Sequence, residues 1–158
     1  MSIKEKIVAD LTAAMKSKDQ LRLSVVRMLK SKMMEAEVEL RAKKGLDYTL
    51  ADEESLGVIA AYAKQRRDSI DAYRHGGRED LASKEEAELA IIQEYLPARA
   101  SEDEIRRVVA EAIAACGASS MKDMGAVMKI VTPKLKGAAD GAVISGIVRG
   151  MLGGGGGC

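Results

Sequence analysis

The side chains best suited to covalent or acid–base chemistry in this sequence are two cysteines, Cys116 and Cys158, and one histidine, His75. Hydrolysis of an amide by a protein nucleophile needs a Cys or Ser beside a general base, with donors for the oxyanion. No spacing in the chain suggests such a Cys–His pair. His75 stands before Gly76, where a helix is expected to end and the dipole favours a cation, so it reads first as a surface capping residue. Cys116 stands before Gly117, another expected helix stop, and reads as a small buried thiol. Cys158 ends a glycine run and can meet another copy, so a disulfide dimer would be an artefact on an expected monomer. No catalytic residue is expected.

Phosphate loops and metal centres fare no better. The glycine clusters contain no Gly-Lys-Ser or Gly-Lys-Thr and follow no strand pattern. Lys136-Gly137 and Asp140-Gly141 read as turns, with an anion contact as the alternative. Glu53, Glu54, Glu85, Glu86 and Glu88 fall in first helical turns or on exposed faces, where they offset the dipole or pair with Lys and Arg. A lone histidine and scattered acids lack metal-ligand spacing. Neither a cofactor nor a metal is expected.

Charge is more informative about binding. The formal net charge is only +1, so no strong field covers the whole molecule. From Ala118 onward, however, five basic residues (Lys122, Lys129, Lys134, Lys136 and Arg149) face two acids, Asp123 and Asp140, an excess of +3. Cations set near phosphates release counterions, which makes these five the candidate RNA-binding residues. The chain has no Phe or Trp, and its tyrosines are dispersed at 48, 62, 73 and 95, so base stacking has little to work with and contact would follow shape. A second basic cluster, Lys64, Arg66, Arg67, Arg74 and Arg78, is interleaved with Asp68, Asp71 and Glu79 and reads as an exposed helical face. Within it, Arg78 with Asp80 is the alternative as a turn-fixing pair. Met28, Met33, Met34, Met124 and Met128 read as core filling or, alternatively, as a groove for a protein partner.

Helices must position these groups. Ser2 with Glu5 and Ser101 with Glu104 form capping boxes, and Thr49 with Asp52 reads as another capping pair. Apolar residues then recur at helical spacing: Ile3, Ile7, Val8, Leu11 and Met15; next Leu21, Val25, Val26, Leu29, Met33, Ala36 and Leu40 up to Gly45, expected to be a left-handed stop. A third helix runs to Gly76-Gly77, and a fourth continues to Pro97, which disfavours α geometry at Leu96. Beyond a linker at 97–100 come three shorter helices: one ending at Gly117, one ending around Pro133, and one from Asp140 through Met151. The expected fold is all-α: an N-terminal bundle of about four helices over 1–97, a C-terminal three-helix domain over 98–152, and a flexible glycine tail over 153–158.

Composition agrees. Hydrophobic residues make up 47%, and 9 Met with no Phe or Trp imply an aliphatic, Met-filled core that suits packed helices. At 158 residues no disulfide or metal is needed to stabilise it. The opening Ser-Ile-Lys-Glu-Lys puts charges inside the first apolar stretch, which argues against a signal peptide or membrane span. The expected location is cytoplasmic, with no membrane partner.

Several separated blocks resemble a known family: Lys64-Gln65-Arg66-Arg67-Asp68-Ser69-Ile70, Gly77-Arg78-Glu79-Asp80-Leu81-Ala82, Glu94-Tyr95-Leu96-Pro97, Asp123-Met124-Gly125, Pro133-Lys134-Leu135-Lys136-Gly137 and Ala139-Asp140-Gly141. In this order they resemble the GatB/YqeY family over residues 1 to about 152. The resemblance implies a stand-alone, YqeY-like protein similar to the helical and tail regions of the B subunit of glutamyl-tRNA(Gln) amidotransferase. It implies tRNA handling as an accessory protein without a catalytic centre, because amide transfer belongs to other parts of that enzyme. Two alternatives are a module docking an amidotransferase or aminoacyl-tRNA synthetase, and the family-level carbon–nitrogen ligase activity with glutamine as amido-N-donor. The Gly153 to Cys158 tail has no counterpart in the resemblance.

Overall fold

The structure, a computed structural model, describes residues 1–154 and is all-helical, with no strand among them. The chain divides into two compact units, Met1–Pro97 and a second from Ala98 onward.

In the first unit, α1 (Ile3–Ser17) and α2 (Gln20–Lys44) form a hairpin, and α3 (Asp52–His75) and α4 (Glu79–Gln93) pack on each other and on α2. Ser2 and Glu5 close the α1 capping box at 3.2 and 2.8 Å, and Lys18 ends that helix in the left-handed region at φ 58°. Val26, Leu29, Ile59 and Ile92 are at most 1% exposed and centre the core. Burial of each stabilises the unit by about 1.5–3 kcal/mol. Gly45 stops α2 at φ 115° and ψ 156°, which is open to glycine but is not the expected left-handed helical geometry.

The expected Thr49–Asp52 cap is not formed. Leu50 is drawn into the core and its N–H donates to Glu37 at 3.0 Å, so the chain stays extended to Ala51. Glu54 then accepts the Ala51 N–H at 3.0 Å, while Asp52 accepts the Ile3 N–H at 3.0 Å and ties the starts of α1 and α3 together. Helix α4 stops at Gln93 and the chain turns through 94–96 before Pro97.

In the second unit α5 (Glu102–Cys116), α6 (Met124–Leu135) and α7 (Gly141–Gly154) each pack on the other two around Val109, Ala112, Val127, Val131 and Val148, all fully buried. Ser101 and Glu104 form the α5 box at 3.2 and 3.0 Å, and Gly117 closes that helix at φ 65°. A 3-10 turn, Met121–Asp123, leads into α6. Helix α6 ends at Leu135, close to the expected end around Pro133; the proline's missing N–H forfeits a single helical bond, and Leu135 fills the core at 5% exposure. Gly153 and Gly154 continue α7, although the glycine run was expected to lose a fixed backbone at Gly153. Residues 155–158, with Cys158, lie outside the described residues.

Candidate nucleic-acid interface

The candidate cations sit on or beside α6 and α7. Lys122 lies in the 3-10 turn, Lys129 and Lys134 on α6, and Arg149 on α7, all four exposed. Lys136 follows α6, is half-buried and has partners of its own. Core positions Val127, Val131 and Leu135 fix which way α6 faces, so Lys129 points nearly opposite the core, while Lys134 lies about 60° from the core direction and about 140° around the helix from Lys129. Lys122 and Lys136 stand at opposite ends of α6, about 20 Å apart along its axis. The set is therefore a band along and around α6, not one tight cluster.

The acids of this segment are engaged elsewhere. Asp123 accepts the N–H groups of Ser119 and Ser120 at 3.0 and 3.3 Å, and Asp140 is paired with Arg99 at 3.5 Å. Among the described residues Lys122, Lys129, Lys134 and Arg149 form no ion pair. Glu102, Asp103, Glu104 and Glu111 all belong to α5, which also carries Arg106, paired with Glu102 at 2.7 Å, and Arg107, so the acids outside the α6–α7 segment are gathered on one helix.

The basic residues of the first unit are arranged differently. Lys64 pairs with Asp68 at 3.0 Å, Arg74 with Glu79 at 3.3 Å and Glu86 at 2.7 Å, and Arg78 with Asp80 at 3.1 Å. Arg66, expected on an exposed face, is 21% exposed and holds Glu85, Glu88 and the Tyr62 hydroxyl, clamping α3 to α4. Burial opposes its charge, yet those bonds raise its pKa above the ordinary guanidinium value. Glu94 takes both guanidinium nitrogens of Arg22 at 2.5 and 3.3 Å, which lowers its pKa, and the Tyr95 hydroxyl donates to Asp10 at 2.5 Å. Burial first and Asp10 second push the Tyr95 pKa up. These family-like residues hold helices together.

Sequence reasoning missed Glu37. It is 8% exposed and binds Lys4 at 2.6 Å, Arg41 at 2.7 Å and the Leu50 N–H, joining α1, α2 and the loop before α3. The Lys4 bond, then the Leu50 bond, hold its carboxyl below the usual range. The signal was present: an acid inside the apolar row Met33, Ala36, Leu40, four residues before an arginine. Glu54, bonded first by Tyr48 and then by Ala51 and Lys44, is pulled down to about 2.

Other expectations change as well. Cys116 is exposed, its Sγ near Ile113 O at 3.9 Å: it lies one turn beyond Ala112 on the same face of α5, but the buried row of that helix ends at Ala112. Met33 fills the first core, and Met124 and Met128 pack against the second, so the five methionines do not share a groove; Met28 and Met34 are 42% and 58% exposed. His75 ends α3 and is exposed. No group of three or more His, Cys, Asp or Glu among the described residues could hold a metal ion, and no described helix is long and apolar enough to cross a membrane.

Comparison with known proteins places these features. The relatives include altered inheritance of mitochondria protein 41, mitochondrial, from Vanderwaltozyma polyspora, 39% identical over 87 residues, 55% of this chain and 44% of the relative. The protein of the same name from Eremothecium gossypii is 34% identical over 89 residues, 56% and 46% of the two chains, and that from Saccharomyces cerevisiae 32% over 87 residues, 55% and 44%. Each match thus spans about half the length of the curated relative. Their mitochondrial designation overturns the cytoplasmic expectation, which rested on charges near Met1; those charges disfavour a membrane span there and carry no information on compartment. The model of the Yqey-like protein family matches residues 4–152. With nearly the whole described chain inside that match, the protein belongs to the YqeY-like family.

Proposed function

We propose that the chain is an accessory tRNA-binding protein whose second unit grips the RNA backbone. One observation carries this reading: Lys122, Lys129, Lys134 and Arg149 are exposed along and around α6 and α7 with no ion pair among the described residues, while the unit's acids lie on α5 or, as Asp123 and Asp140, are engaged by backbone N–H groups and Arg99. Unneutralised amines spread over a short helical unit suit a run of phosphates, and each contact releases counterions. The same unit contains no aromatic side chain, so the grip follows backbone shape and is tolerant of sequence. The resemblance to the amidotransferase tail supports tRNA as the RNA. Half-buried Lys136 contributes from the end of α6.

The test is titration of the full chain with labelled tRNA at about 50 mM and 200 mM salt, the range over which multi-phosphate contacts weaken steeply. Binding that weakens with salt, and that falls by about tenfold or more in Lys129→Glu/Lys134→Glu, is expected. Absent binding at the lower salt, or binding indifferent to salt, overturns the proposal.

A further inference from the structure

The first unit carries an apolar groove that its own core leaves uncovered. Between α1 and α2, buried Ile7 and Met33 form a floor, and Val8 and Met34, 50% and 58% exposed, form walls around a cavity of about 60 Å³. Val38, one turn beyond Met34 and 64% exposed, extends the row. Single exposed apolar side chains are ordinary, but a connected row beside a concave floor marks a contact surface. The cavity is far below the roughly 300–1,000 Å³ of small-molecule sites. It suits one aliphatic side chain presented by a larger partner.

Charge identifies the partner. The groove is lined by three charged residues, Lys4, Lys30 and Glu37. Lys4 and Glu37 neutralise each other at 2.6 Å, and Glu37 is held further by Arg41 and the Leu50 N–H. Lys30 makes no ion pair among the described residues, and neither does Arg27, one turn before it on α2. Toward the other end of α2, Glu35 is taken by Lys32 at 3.5 Å, and Glu39, without an ion pair among the described residues, is turned about 140° around the helix from Met34. The charge left uncompensated beside Val8 and Met34 is positive.

We infer that this groove docks an amphipathic helix of a protein partner, its aliphatic row seated on Val8, Met34 and Val38 and its carboxylates facing Lys30 and Arg27. A helix presents such a row at i, i+4 and i+7, the spacing that apolar grooves between helices read. Acidic side chains beside that row complete the match and speed encounter. The inference is independent of the nucleic-acid reading, since none of these residues belongs to the second unit.

The test is selection of helical peptides, displayed on a fixed scaffold with randomised surface positions, against the full chain. Met34 and Lys30 are exposed, so Met34→Asp and Lys30→Glu variants retain the fold, which thermal melts verify. Enriched clones are expected to carry aliphatic residues at i and i+4 with flanking Asp or Glu. They should bind Met34→Asp about tenfold more weakly, and clones selected on Lys30→Glu should favour Lys or Arg instead. Failure to enrich any clone, clones indifferent to Met34→Asp, or clones without acidic bias would each overturn the inference. So would a self-associated chain that Met34→Asp converts to monomer, which would assign the face to a second copy.

Discussion

Five arginines of the first unit and four cations of the α6–α7 segment stand in opposite situations. In the first, Arg22, Arg41, Arg66, Arg74 and Arg78 are each committed to a carboxylate, some of them 19 to 72 residues away in sequence. In the second, Lys122, Lys129, Lys134 and Arg149 have no ion pair among the described residues. Those five arginines tie the first unit's chain to itself, whereas these four cations face solvent. Cation number alone would not separate these roles; what separates them is where the carboxylates are.

The largest effect that sharpens this contrast lies at Arg66. Replacing it with alanine leaves Glu85 and Glu88, 19% and 12% exposed, facing each other without a cation. Denaturant unfolding of Arg66→Ala should show a loss of about 3 kcal/mol, against less than about 0.5 kcal/mol for Lys129→Ala. Equal losses would break the contrast.

A smaller effect is expected at Glu37. Glu37→Gln should cost about 2 kcal/mol, because the Lys4 bond weakens while the buried Leu50 N–H keeps only a neutral acceptor. Its folded pKa lies below the ordinary 4.5, so the unfolded chain takes up the proton first on acidification. The contribution is therefore complete above about pH 4.5 and is lost as pH falls through the folded value. Glu54, ionised down to about 2, adds to the same slope between 4.5 and 2. Unfolding curves collected from pH 6 to pH 2 should be shallower in both Glu37→Gln and Glu54→Gln, and an unchanged slope would remove these carboxylates from the account.

Much of the fold was legible because it is local. The Ser2–Glu5 and Ser101–Glu104 boxes and the Gly117 stop are decided within four residues, and the structure places them as the pattern reads. Where local signals failed, a distant contact decided. Thr49 lost its cap because Leu50 is pulled into a core and bonded by Glu37, 13 residues earlier. Cys116 was misread because it continues the α5 apolar row at helical spacing, while the buried part of that row ends one turn earlier at Ala112. At the candidate interface, residue types and the local excess of cations were readable, but their freedom from carboxylates was not. Pairings such as Arg22 with Glu94 or Arg66 with Glu88 follow from helix packing, and a linear charge count treats paired and unpaired lysines alike.

The central claim is that only the second unit's cations meet RNA, and the salt dependence of tRNA binding tests it most directly. Two variants are compared with the parent chain, Lys122→Gln/Lys129→Gln/Lys134→Gln in the second unit and Lys32→Gln/Lys64→Gln/Arg78→Gln in the first. The slope of log K against log salt should flatten by about 2–3 in the second-unit variant, roughly one for each phosphate contact removed, and should stay at the parent value in the first-unit variant. Equal flattening in both, or none in either, would contradict the assignment.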